Sequence, residues 1–205
     1  SIYPSNMFSF LETICIQNGQ AQHLDFHQMR VNETFEQFFP EWEPFDVEEL
    51  VADQVLPTEG THRLRITYQE DPETIEILPY TKKEVKRFAL VDTGEIDYGF
   101  KWAERSFFQT FLDAHPEADE VIFVKDGRIQ DCSMANLAFL KEGIWYTPEE
   151  PLHWGTTRAR LIIEEEVEEA EILVEELASY ERVCLINVFR PLSLENSLSV
   201  ADSIL

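Results

Sequence analysis

Apolar and β-branched positions run from Met7 to Ile16 and give way to Gln17-Asn18-Gly19-Gln20, so the chain is expected to open with a β-hairpin turning at Asn-Gly. Leu24, His27, Val31, Phe35 and Phe38 then recur at steps of three and four as far as Pro40. That stripe predicts an amphipathic helix, with Arg30 and Glu33 on its other face. A second helix is predicted over 47–56, and His62-Arg63-Leu64-Arg65-Ile66-Thr67-Tyr68 alternates as a strand does. Segments 74–79 and 87–90 also read as extended. The first ~90 residues therefore mix strands and helices without the βαβ alternation that builds a parallel sheet.

After Asp97-Tyr98-Gly99-Phe100, apolar residues at Trp102, Phe107, Phe108 and Phe111 predict a helix over 101–114, stopped by His115-Pro116, with Lys101 near its N-terminus. Glu120-Val121-Ile122-Phe123-Val124 reads as a strand, Lys125-Asp126-Gly127 as a turn, and the chain from Ile129 as the return strand. A further extended pair is predicted over 135–140 and 144–147, then a helix over 156–169 whose acidic run 164–171 forms a solvated face. Strands over 172–174 and 183–188 complete the pattern. There is no repeat or Gly/Ser spacer, and charged and turn residues gather between Lys82 and Gly94. The expected division is a smaller N-terminal α+β domain over 1–90 and a larger C-terminal α+β domain over 91–205.

Composition narrows the partners. With 205 residues, 44% of them apolar and 12% aromatic, the chain can bury a sizeable core. Sixteen basic residues against forty acidic ones give a formal charge of −24, which repels nucleic acid and anionic membranes. Neither is an expected partner, although a few arginines can still gather around an anionic cofactor or substrate. The three cysteines Cys15, Cys132 and Cys184 lack metal-ligand spacing, and no stretch resembles a signal peptide, which points to a reducing, cytoplasmic setting. No apolar run approaches the roughly 20 residues that span a bilayer. His23 and His27 are spaced like zinc ligands on a helix, but no third ligand follows in register, so no metal is expected.

Lys101, heading an apolar helix, is a candidate amine, because a desolvated lysine loses its proton readily and attacks carbonyls; taken alone it is equally a surface charge. Its context is more specific. Arg105 follows four residues on, then the Glu-Val-Ile-Phe strand, a turn, Asp131-Cys132-Ser133-Met134-Ala135-Asn136-Leu137-Ala138-Phe139, and Gly143-Ile144-Trp145-Tyr146-Thr147-Pro148. That order resembles the class IV (fold-type IV) pyridoxal-phosphate-dependent aminotransferase family, and within it the aminodeoxychorismate lyases most of all. There a lysine-bearing helix start is followed by Asp-Glu-Val-hydrophobic, an acidic residue heading a turn of small residues that ends in Asn-hydrophobic-Phe, and Tyr-Thr-Pro. The stretch from Phe10 to Gly19 is similar to the family's Phe-Glu-Thr hairpin, and His27-Gln28-Met29-Arg30 to its His-x-x-Arg helix. Gly155-Thr156-Thr157-Arg158 is similar to its Gly-Ile-Thr-Arg helix start, and Leu185-Ile186-Asn187-Val188 to a late strand.

The resemblance implies an α+β fold-type IV enzyme of two domains with the cofactor site between them, acting as a homodimer on a small amino-acid-like substrate. It implies that Lys101 bonds pyridoxal 5'-phosphate and moves a proton at the substrate carbon. Asp131 would sit beside the ring nitrogen, where the family carries glutamate, and Thr156, Thr157 and Arg30 would meet the phosphate. Asn136 and Asn187 would face the cofactor, while Arg63, Arg65 and Arg105 are candidates to meet substrate carboxylates. The reaction implied is release of pyruvate from 4-amino-4-deoxychorismate to leave 4-aminobenzoate for folate synthesis. Two alternatives stand beside it: transamination of branched-chain or D-amino acids, and a noncatalytic protein that keeps the fold, of which the aspartate at 131 would be a symptom. Individual residues also have plainer readings. Arg30 can be a surface cation, Thr156 a helix cap, Asp131 a turn residue, and Cys132 a small residue near the cofactor rather than a nucleophile.

Overall fold

The computed structural model describes residues 9–94 and 106–205, and the chain divides into two compact units between Lys82 and Lys83. The first unit holds β1 (Phe10–Gln17), β2 (Gln20–Ala21), α1 (Leu24–Phe38), α2 (Val47–Ala52), β3 (Thr61–Tyr68) and β4 (Pro72–Pro79). Its strands form one sheet in the order β2-β1-β3-β4, antiparallel throughout. The opening turn places Asn18 and Gly19 at φ 48° and 82°, the left-handed geometry a two-residue hairpin demands. Period-two alternation puts Phe10, Ile14 and Ile16 of β1 beside Leu64, Ile66 and Tyr68 of β3, and Val31 and Phe35 of α1 close that core.

α1 departs from its expected face in one respect. Arg30 is buried along with His27, Val31, Thr34 and Phe35, rather than lying on the solvent side. The reason is electrostatic: Glu12 interrupts the apolar alternation of β1 on the face that meets α1, fully buried itself, and Arg30 turns inward to pair with it.

The second unit comprises β5 (Phe88–Asp92), α3 (Ser106–Asp113), β6 (Glu120–Lys125), β7 (Arg128–Cys132), β8 (Asn136–Lys141), β9 (Ile144–Pro148), α4 (Thr156–Ile163), β10 (Glu168–Ala170), a 3-10 turn over Val174–Ser179, β11 (Arg182–Ile186), β12 (Ser197–Ser199) and α5 (Val200–Ser203). A three-stranded sheet runs β5-β6-β7 and a five-stranded sheet β10-β9-β8-β11-β12. Phe88, Ile122, Leu137, Phe139, Val183 and Leu185 belong to one buried cluster that joins them.

Two parallel pairings in this unit, β5 with β6 and β9 with β10, have no local sequence signature. The first carries residues 83–90 into the second unit, ahead of the 90/91 division expected from composition. The second ends α4 early. The helix predicted over 156–169 stops at Ile163, Glu165 takes a left-handed φ of 58°, and Val167 is buried on the way into β10. Consecutive glutamates at a helix C-terminus oppose the macrodipole, so 164–166 form a turn and not a solvated helical face. The segment expected as a strand over 172–174 makes one bridge, Leu173 with Arg128, before the 3-10 turn. No helix among the described residues is long and apolar enough to cross a membrane.

Candidate active site

Asp131 ends up in a buried polar cluster with Asn136 and His153. It is the penultimate residue of β7, fully buried, and the chain turns back at once through Ser133 and Met134 into β8. Its two carboxylate oxygens have different surroundings. Oδ2 accepts from Asn136 Nδ2 at 3.2 Å and from the backbone N–H of His153 at 3.1 Å, and His153 Nδ1 lies 3.2 Å from the same oxygen. Oδ1 is equally buried and has no hydrogen-bond partner among the described residues. A buried acceptor left unmatched costs about 1–3 kcal/mol, a cost that a ligand relieves when it supplies the donor. Asp131 is thus not a plain turn residue.

The segment after β9 brings a helix start to this carboxylate. Asn136 Nδ2 also donates to the His153 carbonyl at 2.9 Å, so the 131–136 turn and the approach to α4 are one hydrogen-bonded assembly. Gly155 occupies the N-cap of α4 with no side-chain cap, and a Cβ there would lie 2.2 Å from Asn136 Oδ1. Thr156 and Thr157 are therefore the first helical residues, not caps, and both are buried. Amides in a helix's first turn lack intrahelical acceptors and favour an anion. Arg158 anchors the same turn: Nη2 donates to Glu169 Oε1 at 2.6 Å and to the Pro148 carbonyl at 3.1 Å, and its guanidinium stacks over Trp154 at 4.8 Å.

Asn187 supports this assembly from behind. Its Nδ2 donates to the Met134 carbonyl at 3.1 Å and its Oδ1 accepts from Phe189 N–H at 2.9 Å, so it braces the small-residue turn. Ser133 is held from the other side, its Oγ and N–H donating to buried Glu120 at 2.5 and 3.1 Å. Cys132 is buried, its Sγ on the Ala135 carbonyl at 3.3 Å. Burial first, and then the negative charges of Glu120 and Asp131, push its thiol well above the ordinary range, which makes it a packing residue rather than a nucleophile.

In the first unit, Glu12 receives Arg30 Nε at 2.8 Å on Oε2 and Arg30 Nη2 at 2.7 Å on Oε1, with His27 Nδ1 2.8 Å from Oε1. Burial alone would raise the Glu12 carboxyl, but the Arg30 charge and the hydrogen bonds from His27 and Arg30 outweigh it and hold the group at about 2. His27 is thereby a partner of Glu12. Arg63 and Arg65 share the face of β3 that points away from Leu64 and Ile66. Neither is in an ion pair among the described residues, and Arg63 Nε is buried without an acceptor there. Lys101 and Arg105 lie outside the described residues.

Sequence reasoning gave no role to Glu12 or His153. Glu12 left a signal, a charged residue at a core position of an alternating strand; His153, in a loop, left none.

A model of the family described as amino-transferase class IV matches residues 101–193. A crystal structure from Haemophilus somnus, of a protein provisionally named 4-amino-4-deoxychorismate lyase, superposes with a TM-score of 0.83 at 34% identity, covering 91% of this chain and 98% of that one. The chain belongs to the class IV aminotransferase family. Class IV aminotransferases are pyridoxal-phosphate-dependent enzymes, and the polar cluster around Asp131 lies inside the matched segment. An uncharacterized Haemophilus influenzae protein is 30% identical over 191 residues, 91% of this chain and 100% of its own length. A Mesorhizobium loti structure, provisionally named an amino-acid aminotransferase, shares the fold at 21% identity, with a TM-score of 0.79 over 96% of this chain and 99% of that one.

Proposed function

We propose that this class IV aminotransferase holds pyridoxal 5'-phosphate with Asp131 against the ring nitrogen and the Thr156-Thr157 end of α4 against the phosphate. The observation that supports this best is the divided Asp131 carboxylate, one oxygen fixed by neighbours and the other buried without a donor. A protonated ring nitrogen is the donor that oxygen lacks. When bound, the cofactor supplies an electron sink for bonds broken at the substrate carbon. Asp131 keeps the ring nitrogen protonated by a charge-assisted hydrogen bond. The first-turn amides and hydroxyls of Thr156 and Thr157 would orient the phosphate, and Lys101, by its place in the sequence motif, would hold the cofactor and carry the proton at the substrate carbon. Aspartate in place of the family's glutamate is compatible with this, because Asn136 and His153 fix the shorter side chain.

The reaction we assign is that of an aminodeoxychorismate lyase: loss of pyruvate from 4-amino-4-deoxychorismate, leaving 4-aminobenzoate, in the cytoplasm and as a homodimer. The provisional name of the 34% identical Haemophilus somnus protein supports it. Amino transfer to a keto acid uses the same lysine and cofactor, and the family match supports that second reading.

Absorbance spectra of wild type and Lys101→Ala with added pyridoxal phosphate, before and after borohydride, test the cofactor reading. A wild-type visible band that reduction converts to a stable mass addition on Lys101 is expected, and its absence overturns the reading. Assaying 4-aminobenzoate against keto-acid formation then separates lyase from transaminase.

A further inference from the structure

We propose that His153 is a positioning residue for the Asp131 carboxylate and couples it to the phosphate-binding start of α4. The proposal rests on the cofactor reading above. Three different groups of this one residue converge on the cluster. Its backbone N–H donates to Asp131 Oδ2 at 3.1 Å, its carbonyl accepts from Asn136 at 2.9 Å, and its Nδ1 lies 3.2 Å from Asp131 Oδ2. Residue 153 is largely buried, its side chain 10% exposed, so this contact is sheltered from water that would weaken it. The imidazole thus lies beside the same oxygen that Asn136 and the N–H of residue 153 already hold. Among the described residues the donors fall on Oδ2, which leaves Oδ1 open to a ligand.

The covalent path adds the coupling. His153 and Thr156 are separated by Trp154 and Gly155, and Gly155 is pressed against Asn136 so closely that a Cβ would sit 2.2 Å from its Oδ1. The backbone of residue 153, bonded to Asp131 and Asn136, therefore links that pair to the first turn of α4. Aspartate is one methylene shorter than glutamate and reaches less far; a histidine behind it sets how far forward its free oxygen stands. His153 thus supplies reach that the acidic residue at 131 lacks by itself.

The experiment is a double-mutant cycle on pyridoxal phosphate affinity, read by spectroscopic titration of the full chain. His153→Ala keeps the backbone contacts and removes the imidazole; loss of a sheltered polar contact of this kind is expected to cost about tenfold in affinity. His153→Asn, whose amide donates from a position near Nδ1, is expected to recover most of the loss. Asp131→Asn is expected to weaken binding more, and His153→Ala added to it to cost little further. If wild type binds no cofactor, or Asp131→Asn is silent, the underlying reading fails. If Asp131→Asn weakens binding while His153→Ala is silent, or the two losses simply add, the positioning role is overturned. Melting curves of His153→Ala and His153→Asn identify a variant that fails to fold, and a folded His153→Asn without recovery also overturns it.

Discussion

Gly155 and Asn136 are in mutual steric contact: a Cβ on the glycine would stand 2.2 Å from the asparagine Oδ1, far inside any van der Waals distance. The backbone of Gly155 is ordinary, φ −70° and ψ 147°, so the glycine is required by space and not by conformation. Gly155→Ala must displace the Asn136 carboxamide from Asp131 and from the His153 carbonyl. The expected outcome is a loss of about 1–3 kcal/mol in stability and weaker pyridoxal phosphate binding, read by chemical denaturation and by titration.

The buried pairing of Glu12 with Arg30 and His27 predicts a severe Glu12→Gln phenotype. A neutral amide cannot balance a buried guanidinium, and removing one partner of such a pair costs about 3–5 kcal/mol. Urea denaturation of the variant against wild type measures this, and a difference under about 1 kcal/mol would show the pair to be dispensable.

The same group predicts a pH dependence. The Glu12 carboxyl is depressed in the folded state, to about 2, from an unfolded value near 4.3. Its stabilising contribution is therefore fully present above the unfolded value and lost as pH falls toward about 2. Because many other carboxylates titrate in that window, the wild-type minus Glu12→Gln stability difference is the quantity to follow. It is expected to shrink steadily from pH 5 to pH 2.

All three cysteines are buried and none is in a disulfide. Burial raises the Cys15 thiol, and burial together with Glu120 and Asp131 raises that of Cys132 well above its usual value. Thiol reagents at neutral pH are expected to label neither at an appreciable rate until the protein is unfolded. Rapid modification of native Cys132, followed by mass spectrometry, would contradict its buried place in the 131–136 turn.

Arg158 ties the first turn of α4 to β9 and β10 through the Pro148 carbonyl and Glu169, and stacks on Trp154. Arg158→Lys keeps the charge but loses the planar stack on Trp154. A stability loss of about 1–2 kcal/mol is expected, with cofactor affinity reduced because the Thr156-Thr157 turn loosens. Thermal melts and titration of the folded variant read the two effects separately.

What the chain determined by itself is local. Asn18-Gly19 and Asp126-Gly127 set their hairpins because consecutive left-handed φ values suit asparagine, aspartate and glycine. The stripe of His27, Val31 and Phe35 set α1, and alternation set β1 and β3. The order of Asp131, Asn136 and Gly155-Thr156-Thr157 named the members of the candidate site, since short motifs survive in sequence. The rest depended on groups far apart in the chain. Arg30 faces inward only because Glu12 on another element needs its charge, and α4 stops at Ile163 because a glutamate run is a poor helix end and Glu168–Ala170 pairs with β9. Asp131 has one fixed oxygen and one unmatched oxygen because His153, a loop residue with no periodicity to betray it, folds back onto it. Propensity and periodicity act over a few residues, whereas burial and electrostatic pairing are decided by whichever side chains the completed fold brings together.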